Sequence, residues 1–113
     1  CASTKEEFGL AIVEALAAGL PATAPLTGGP ATYIVPGQTG TLTDTTDTAA
    51  LATAIGATLD LAAEPATAGR ARAIVEDRYT LERMARSLTA VYRVTVGAST
   101  LSAAVVQSTE VAA

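Results

Sequence analysis

Two glutamates, and the backbone amides between them, are the groups in this sequence whose types and spacing could do chemistry. Glu6 precedes an apolar helical segment and Glu14 interrupts it. A helix this apolar accepts a charge mainly where the charge meets something specific. Phe8, Gly9 and Leu10 lie where the helix is predicted to begin, so their N–H groups lack intrahelical partners. The positive end of the helix dipole faces outward there, which makes this point a seat for phosphate.

Both carboxylates can flank one ligand at this seat. Gly9 lets the backbone approach the ligand closely, and Glu6 can accept hydrogen bonds from vicinal hydroxyls. Glu14 lies in the second turn, at about 1.5 Å of rise per residue, and so reaches the far side of the same ligand. This order fits a sugar, a diphosphate and a ribose. The alternative is that Glu6 and Glu7 are first-turn acids favoured by the dipole and Glu14 is an exposed or salt-bridged residue.

The composition excludes several kinds of site. The 113 residues include no His and one cysteine, Cys1, which excludes catalytic triads, His-based metal sites and internal disulfides. The net charge is −4, and six arginines are scattered among acids between Arg70 and Arg93, so no nucleic-acid footprint is expected. Arg70 and Arg72 are expected to be solvated charges. The length allows one domain, and no stretch is suited to crossing a bilayer, so we expect a soluble, cytoplasmic protein.

Hydrophobic periodicity and turn residues predict an α/β chain. In chain order we expect a largely buried helix over 8–20, short strands over 22–26 and 41–43, a helix over 51–62 opened by the cap-rich run TDTTDT, a helix carrying AGRARAIVEDRY, and a last helix from a Thr80 cap to Gly97. Pro25 is expected to confine the pairing of the first strand to its first residues. Residues 98–113 lack periodicity and predict a disordered tail beyond a domain over residues 1–97.

The loop between the two strands carries two glycines and is followed by an aromatic residue. Gly28 and Gly29 can adopt positive φ, and they form either a plain turn or a loop close to a bound ligand. Tyr33 and Tyr79 are expected to be core or rim aromatics rather than stacking platforms for a base.

Several runs occur in the same order as in a known family. EEFGLAIVEALAAGLP is followed by GGPATYIVPGQTGTL, then by DTAALATAI, and finally by YTLERMARSLTAVYR. Together they resemble the C-terminal, donor-binding half of retaining GT-B glycosyltransferases of family 4, over residues 1 to about 97. The E-x7-E motif of that family maps onto Glu6 and Glu14, and GGPA resembles its sucrose synthase branch. Two positions depart from the family pattern, Glu7 in place of a small residue and Thr32 in place of a Glu.

The resemblance implies both a fold and an activity. The fold is an incomplete Rossmann-like half of a GT-B C-terminal domain, helix-rich with about two short parallel strands. The activity is transfer of a sugar from a nucleotide-diphosphate donor, a UDP- or GDP-sugar, with retention of configuration and with no metal or other cofactor. The implied site consists of Glu6 as the catalytic residue on the donor sugar, Glu14 on the ribose, the backbone of Phe8, Gly9, Leu10 and Ala11 on the sugar and phosphates, and the loop of Gly28 and Gly29.

The resemblance also implies partners. The basic residues that hold the diphosphate, and the whole acceptor-binding domain, would precede Cys1, so we expect a fragment that binds a donor and does not turn over alone. Two other hypotheses stay open. One is a non-catalytic interaction or regulatory module on the same scaffold, of which Glu7 and Thr32 would be traces. The other is a helical scaffolding fragment whose apolar face docks on another chain.

Overall fold

The computed structural model describes residues 1–110, and the side chains of residues 1–97, in two units that divide between Tyr79 and Thr80. The first unit contains α1 (Leu10–Ala17), β1 (Ala22–Pro25), a 3-10 turn (Gly29–Thr32), β2 (Gly40–Thr43), α2 (Thr48–Ala62) and α3 (Thr67–Arg78). The second unit contains α4 (Leu81–Glu110). The helices and the two short strands confirm the predicted α/β class.

The two strands pair in parallel along their whole length. Pro25 pairs with Thr43, so the expectation that Pro25 ends the pairing is wrong. The N–H groups of Ala22 and Leu26 donate to the carbonyls of Thr39 and Thr43, at 3.2 and 3.0 Å. Alternate residues of a strand direct their N–H groups to opposite edges. Pro25 is out of phase with these two donors, so its missing N–H falls on the edge away from β2, where proline is tolerated.

Side chains of the strands alternate between two differently packed faces. Ala24 and Leu42 belong to the hydrophobic face, which packs against α1 and α3. The fully or nearly buried members of this core are Ile12, Val13, Leu16, Ala24, Tyr33, Ile34 and Ala71. Leu16 has no exposed surface at all, so we infer that α1 is fixed on the sheet chiefly by burial of this face.

Threonine hydroxyls join the other face of the sheet to α2. The Thr58 hydroxyl lies 2.7 Å from that of Thr23 and 2.7 Å from that of Thr41. All three hydroxyl oxygens lie within 3.4 Å of the Ala54 carbonyl oxygen. Buried hydroxyls must be hydrogen-bonded to offset their loss of water. The contact between α2 and the sheet is therefore a polar joint inside an otherwise apolar protein.

Helix α1 is shorter than the predicted helix over 8–20, because a glycine with positive φ bounds it on each side. Gly9 has φ 82° and Gly19 has φ 85°, which is the left-handed region that favours glycine. Beyond its C-terminus, the Arg72 guanidinium donates to the Ala18 carbonyl at 3.2 Å. Arg72 is exposed, as expected of a solvated charge, and its guanidinium also caps the C-terminus of α1 from α3. The solvent side of α1 includes Glu14, so the helix is buried along one face only.

The start of α2 confirms the predicted capping run. The Asp47 carboxylate accepts hydrogen bonds from the N–H groups of Ala49 and Ala50, at 2.8 and 3.1 Å. Two of the N–H groups left without partners in the first turn are thereby satisfied. The helix continues from Thr48 to Ala62, three residues longer at its N-terminus than predicted.

Helix α4 begins as predicted and continues further. The Thr80 hydroxyl accepts a hydrogen bond from the Arg83 N–H at 3.3 Å, which confirms the predicted cap. Gly97 does not end the helix, which continues to Glu110, because a single interior glycine costs only about 1 kcal/mol. The proposed boundary between residues 97 and 98 stays a prediction, and residues 111–113 lie outside the described residues. No helix within residues 1–110 combines the length and hydropathy needed to cross a membrane.

Candidate functional site

The N-terminus of α1 presents backbone N–H groups that the protein itself does not use. Gly9 is the N-cap and provides no side-chain cap. The first bonds of the helix run from the N–H groups of Ile12 and Val13 to the Gly9 carbonyl, at 2.9 and 3.1 Å. None of the described residues accepts a hydrogen bond from the N–H groups of Phe8, Gly9, Leu10 and Ala11. Together with the helix dipole, these groups can bind an anion.

Tyr33 fixes the direction in which these amides point. Its buried hydroxyl donates to the Phe8 carbonyl at 2.6 Å and lies 3.3 Å from the Gly9 carbonyl. In a trans peptide the C=O and the following N–H point in opposite directions. Because the Phe8 carbonyl is held from the inside, the Gly9 N–H is directed away from the core. A Cβ atom on Gly9 would lie 2.7 Å from the Tyr33 hydroxyl, so both the close approach and the positive φ require glycine here.

Three aromatic rings pack against one another near the start of α1. The ring centroid of Phe8 lies 6.2 Å from that of Tyr33 and 5.6 Å from that of Tyr79, and the two tyrosines are 5.6 Å apart. Tyr33 is buried and Tyr79 is partly buried, which confirms the prediction that both are core or rim aromatics. Burial, followed by the nearby Tyr79 phenol and Glu6 carboxylate, raises the pKa of Tyr33 to about 12. The phenol is therefore held in its protonated, hydrogen-bond-donating form.

Glu6 is half-buried beside this turn. Its backbone carbonyl accepts a hydrogen bond from the Gly29 N–H at 3.1 Å. Its Cγ atom lies 3.3 Å from where a Cβ on Gly9 would be, so its side chain runs along the start of α1. The Cys1 thiol lies 3.9 Å from one carboxylate oxygen, and no Lys or Arg of the described residues forms an ion pair with it. The carboxylate is thus open to hydrogen bonds from a ligand.

The two loop glycines pack directly on the backbone of residues 6–8. A Cβ on Gly28 would lie 2.0 Å from the Glu6 carbonyl oxygen, and one on Gly29 would lie 2.5 Å from both the Glu7 carbonyl oxygen and the Phe8 Cα. Gly28 has φ 86°. Gly28 is therefore required both for close approach and for its positive φ, whereas Gly29 is required for close approach alone, and both lie next to the candidate site.

Glu14 lies one helical turn beyond the free amides. It is exposed, as are Leu10 and Ala11, and residues three and four apart share one side of a helix. Four residues correspond to about 6 Å along the axis. No ion pair joins Glu14 to another of the described residues, and the structure does not bring it into contact with Glu6. Glu14 is therefore solvent-facing on the side of α1 where the amides are free.

The two positions that depart from the family pattern have ordinary surface environments. Glu7 is exposed, and one of its carboxylate oxygens lies 3.7 Å from the Lys5 ammonium, a surface pair of little energetic value. The Thr32 hydroxyl donates to the Gly29 carbonyl at 2.7 Å and so closes the 3-10 turn.

The sequence did not predict one feature, a shallow cleft of mixed polar and apolar lining at the carboxyl ends of β1 and β2. It is lined by side chains that include Thr27, Thr43 and Asp44. The run TDTT was interpreted only as a helix cap, although polar residues directly after a parallel strand are a signal for a ligand-binding edge. Among the described residues, no three His, Cys, Asp or Glu side chains lie close enough together to hold a metal ion.

Comparison of the sequence with models of known protein families gives one match that covers most of the first unit. The family model described as Glycosyl transferases group 1 matches residues 1–74, which is more than half of the chain and includes Glu6, Glu14, the double-glycine loop and both strands. No curated protein and no solved structure matches the chain significantly. The helix-rich α/β structure with two short parallel strands agrees with a partial Rossmann-like domain of the GT-B kind.

Proposed function

The chain belongs to the glycosyl transferases group 1 family, and we propose that it binds the nucleotide-diphosphate sugar donor of a retaining glycosyl transfer. The observation that carries this proposal is the row of N–H groups from Phe8 to Ala11 without an acceptor among the described residues. Glu6 precedes this row in the chain, and the exposed Glu14 follows it one helical turn later. An anionic diphosphate is complementary to those groups and to the helix dipole.

The proposed roles follow the order of groups along the donor. Glu6 accepts hydrogen bonds from hydroxyls of the donor sugar and is the proposed catalytic residue. The N–H groups of Gly9, Leu10 and Ala11 bind the phosphates, with Gly28 and Gly29 closing the site beside Glu6. Glu14 accepts hydrogen bonds from the ribose hydroxyls, about 6 Å further along the helix axis.

The same geometry supports a role in the chemical step. Negative charge grows on the diphosphate as its bond to the sugar breaks. N–H groups already aimed at that charge stabilise the transition state without reorganising. Tyr33 is a positioning residue in this scheme, because its hydroxyl holds the Phe8 carbonyl and thereby orients the next N–H. We assign no covalent intermediate to either glutamate.

We further propose that the chain binds the donor without turnover by itself. In this proposal, the basic residues for the diphosphate and the acceptor-binding domain belong to a part of the same protein that precedes Cys1. The choice between a UDP- and a GDP-sugar, and membership of a sucrose synthase-like branch suggested by GGPA at residues 28–31, are finer parts of this proposal.

Calorimetric titration of the chain with UDP and with UDP-glucose tests the proposed roles separately. We expect Glu14→Gln to weaken binding of both ligands at least about tenfold, a loss near 1.4 kcal/mol, because both contain the ribose. We expect Glu6→Gln to weaken UDP-glucose by a similar factor and to leave UDP unchanged, because only UDP-glucose carries the sugar. The matched control is Glu7→Gln, which changes an exposed neighbouring carboxylate and should alter neither affinity. Titration with GDP and GDP-glucose in the same way tests whether the chain prefers a uridine or a guanosine nucleotide.

The alternative function is the interaction or regulatory module, which the departures at Glu7 and Thr32 favour. A folded chain that binds none of these nucleotides would support it. Nucleotide affinities that are equal in the wild type, Glu6→Gln and Glu14→Gln would contradict the assigned roles even if the chain binds a nucleotide.

A further inference from the structure

Glu6 lies in a segment, residues 1–9, that contains no helix or strand. Hydrogen bonds to other parts of the chain must therefore fix the direction of its side chain. The direction of a Cα–Cβ bond follows from the two peptide planes that meet at that Cα. The plane after Glu6 is held by the Gly29 N–H, which donates to the Glu6 carbonyl at 3.1 Å. The plane before it, between Lys5 and Glu6, needs a support of its own.

Ser3 supplies this support through a local turn. Its hydroxyl donates to the Lys5 carbonyl at 3.0 Å and accepts a hydrogen bond from the Lys5 N–H at 3.3 Å. A hydroxyl can donate and accept at the same time, so one side chain holds the peptide planes on both sides of Lys5. Both bonds are exposed and local. They therefore fix the plane before Glu6 only relative to Ser3, whose own position must be set from elsewhere.

Thr45 sets the position of Ser3. The Thr45 hydroxyl donates to the Ser3 carbonyl at 2.9 Å, across 42 residues of sequence, and the contact is partly buried. Removing the donor would leave that carbonyl without this partner, and a partly buried hydrogen bond is worth more than one in water. Thr45 therefore ties the segment that carries Glu6 to the loop after β2.

The loop that presents Thr45 is fixed by two aspartates. One Asp44 carboxylate oxygen accepts from the N–H and the hydroxyl of Thr46, at 2.9 and 2.7 Å, which closes a turn around Thr45. On the other side, the Asp47 carboxylate caps α2. Thr45 is thus held between the end of a strand and the start of a helix. The run TDTTDT at residues 43–48 does more than begin α2.

We propose that Thr45 is a positioning residue for Glu6. Through Ser3 and the peptide plane between Lys5 and Glu6, it holds the Glu6 carboxylate beside the free N–H groups at the start of α1. Thr45 acts through Glu6 and does not need to touch the ligand, because its hydroxyl is used on the Ser3 carbonyl. The inference rests on the proposed function and deepens it, because it adds a distant residue that controls the sugar-dependent part of the donor affinity.

Calorimetric titration with UDP and with UDP-glucose tests the positioning role. Thr45→Val removes the hydroxyl with little change of shape. It should weaken UDP-glucose about threefold to tenfold, the value of one hydrogen bond, and leave UDP unchanged, because only UDP-glucose carries the sugar that Glu6 binds. Thr45→Ser keeps the hydroxyl and should bind both ligands like the wild type. A loss of affinity for UDP equal to that for UDP-glucose would overturn the inference.

Thr53→Val is the matched control for this substitution. Thr53 is exposed on α2, and its hydroxyl donates to the Ala49 carbonyl within the same helix. Its loss should change neither affinity.

A second variant keeps the test decisive if Thr45→Val fails to fold. Ser3→Ala removes the hydroxyl that holds the Lys5 carbonyl, and its hydrogen bonds are exposed, so we expect the fold to persist. This variant should also weaken UDP-glucose about threefold to tenfold and leave UDP unchanged. Wild-type affinity for UDP-glucose in Ser3→Ala would contradict the proposed connection from Thr45 to Glu6.

A double-mutant cycle separates positioning from direct contact or general stabilisation. Glu6→Ala removes the carboxylate that Thr45 is proposed to hold. In that background Thr45→Val should cause no further loss of affinity for UDP-glucose, because the two residues act through the same group. A further loss of threefold or more would mean that Thr45 acts independently of Glu6, and the inference would be wrong.

Relaxation of the ¹⁵N-labelled chain without nucleotide gives a readout that does not depend on binding. In the wild type the amides of Lys5 and Glu6 should have order parameters near the rigid value of about 0.85. In Thr45→Val these values should fall toward about 0.6, and Thr45→Ser should restore them, while amides within α2 stay rigid in all three. Unchanged order parameters in Thr45→Val would count against the positioning role.

The inference and the proposed function fail in distinguishable ways. If Glu6→Gln weakens UDP-glucose alone, but Thr45→Val and Ser3→Ala bind it like the wild type, the positioning role is wrong and the proposed function stands. If the wild type binds neither nucleotide, but the order parameters of Lys5 and Glu6 fall in Thr45→Val, the proposed function is wrong and Thr45 still positions Glu6.

Discussion

The hydroxyl of Tyr33 is the most informative single group in the protein, because it connects core packing to the candidate site. It lies in the hydrophobic core, and it holds the Phe8 carbonyl across 25 residues of sequence. The orientation of the Gly9 N–H therefore depends on a side chain of the hydrophobic core. Removing the hydroxyl would leave the Phe8 carbonyl without this donor.

Tyr33→Phe should change how stability depends on pH. The fold raises the pKa of this phenol from 10.0 to about 12, so folding favours the protonated form. The stabilisation is complete below pH 10 and is lost as the pH rises from 10 to about 12. A shift of two units corresponds to at most about 2.7 kcal/mol. The free energy of unfolding should therefore fall more steeply above pH 10 in the wild type than in Tyr33→Phe.

Urea unfolding at pH 8 to 11.5 measures this difference. Below pH 9 Tyr33→Phe should be less stable by about 1 kcal/mol, the usual value of one hydrogen bond, and the gap should narrow above pH 10. Tyr92→Phe, at a tyrosine with 60 % exposure, should follow the wild type throughout. A gap that stays constant to pH 11.5 would mean that the phenol is not held as described.

The sequence identified the candidate residues through local rules and missed the parts that depend on tertiary contact. Glu6, Glu14 and the amides between them follow from where a helix starts, which depends on neighbouring residues only. The Tyr33 hydroxyl contacts the Phe8 carbonyl because segments distant in sequence come together. The spacing of residues within one element carries no information about such contacts.

At the scale of elements, both strands and the order of the helices were predictable from periodicity and turn residues. The differences arise from backbone geometry. Gly9 and Gly19 adopt positive φ and end α1 earlier than its apolar residues suggest. Pro25 stays paired because its missing N–H would lie on the edge of β1 that faces away from β2. Which residues of β1 direct their N–H groups toward β2 depends on the register of the two strands, and the sequence does not reveal that register.

Gly28→Ala and Gly37→Ala form a matched pair that separates close packing from backbone conformation. Both glycines have positive φ, 86° and 73°, so alanine is strained at either position. A Cβ at Gly28 would lie 2.0 Å from the Glu6 carbonyl oxygen, whereas one at Gly37 would meet no atom within 4 Å. We expect Gly37→Ala to cost about 1 kcal/mol and Gly28→Ala at least about twice that.

Chemical denaturation of the two variants measures these costs, and titration with UDP-glucose should show weaker binding in Gly28→Ala alone, because only that loop supports Glu6. Equal losses of stability in the two variants would indicate that the contact between the double-glycine loop and residues 6–8 is not close in solution.

At the scale of the whole molecule, the two units differ in how much they bury. The first unit contains all residues of the hydrophobic core. In α4 every side chain from Leu81 to Val96 is exposed, although the helix carries an apolar stripe that includes Met84 and Leu88. Helices gain most of their stability from packing of such a stripe. We therefore expect the backbone amides of α4 to exchange their hydrogens faster than those of the strands in the first unit.

Hydrogen exchange measured by mass spectrometry should show amides of residues 84–96 exchanging on the order of a hundredfold faster than those of Ala24 and Leu42. Leu16→Ala, which opens a cavity in the core at a cost of about 2–5 kcal/mol, should accelerate exchange in the strands and leave residues 84–96 unchanged. Equal protection in both regions of the wild type would contradict this expectation.

The joint of Thr23, Thr41 and Thr58 around the Ala54 carbonyl has a consequence for how this scaffold evolves. Changing one threonine to valine deprives the two remaining hydroxyls of a neighbour inside the protein, whereas changing all three removes the polar groups together and can be nearly neutral. Lineages of this fold should therefore be either threonine or aliphatic at all three positions, with mixed combinations selected against.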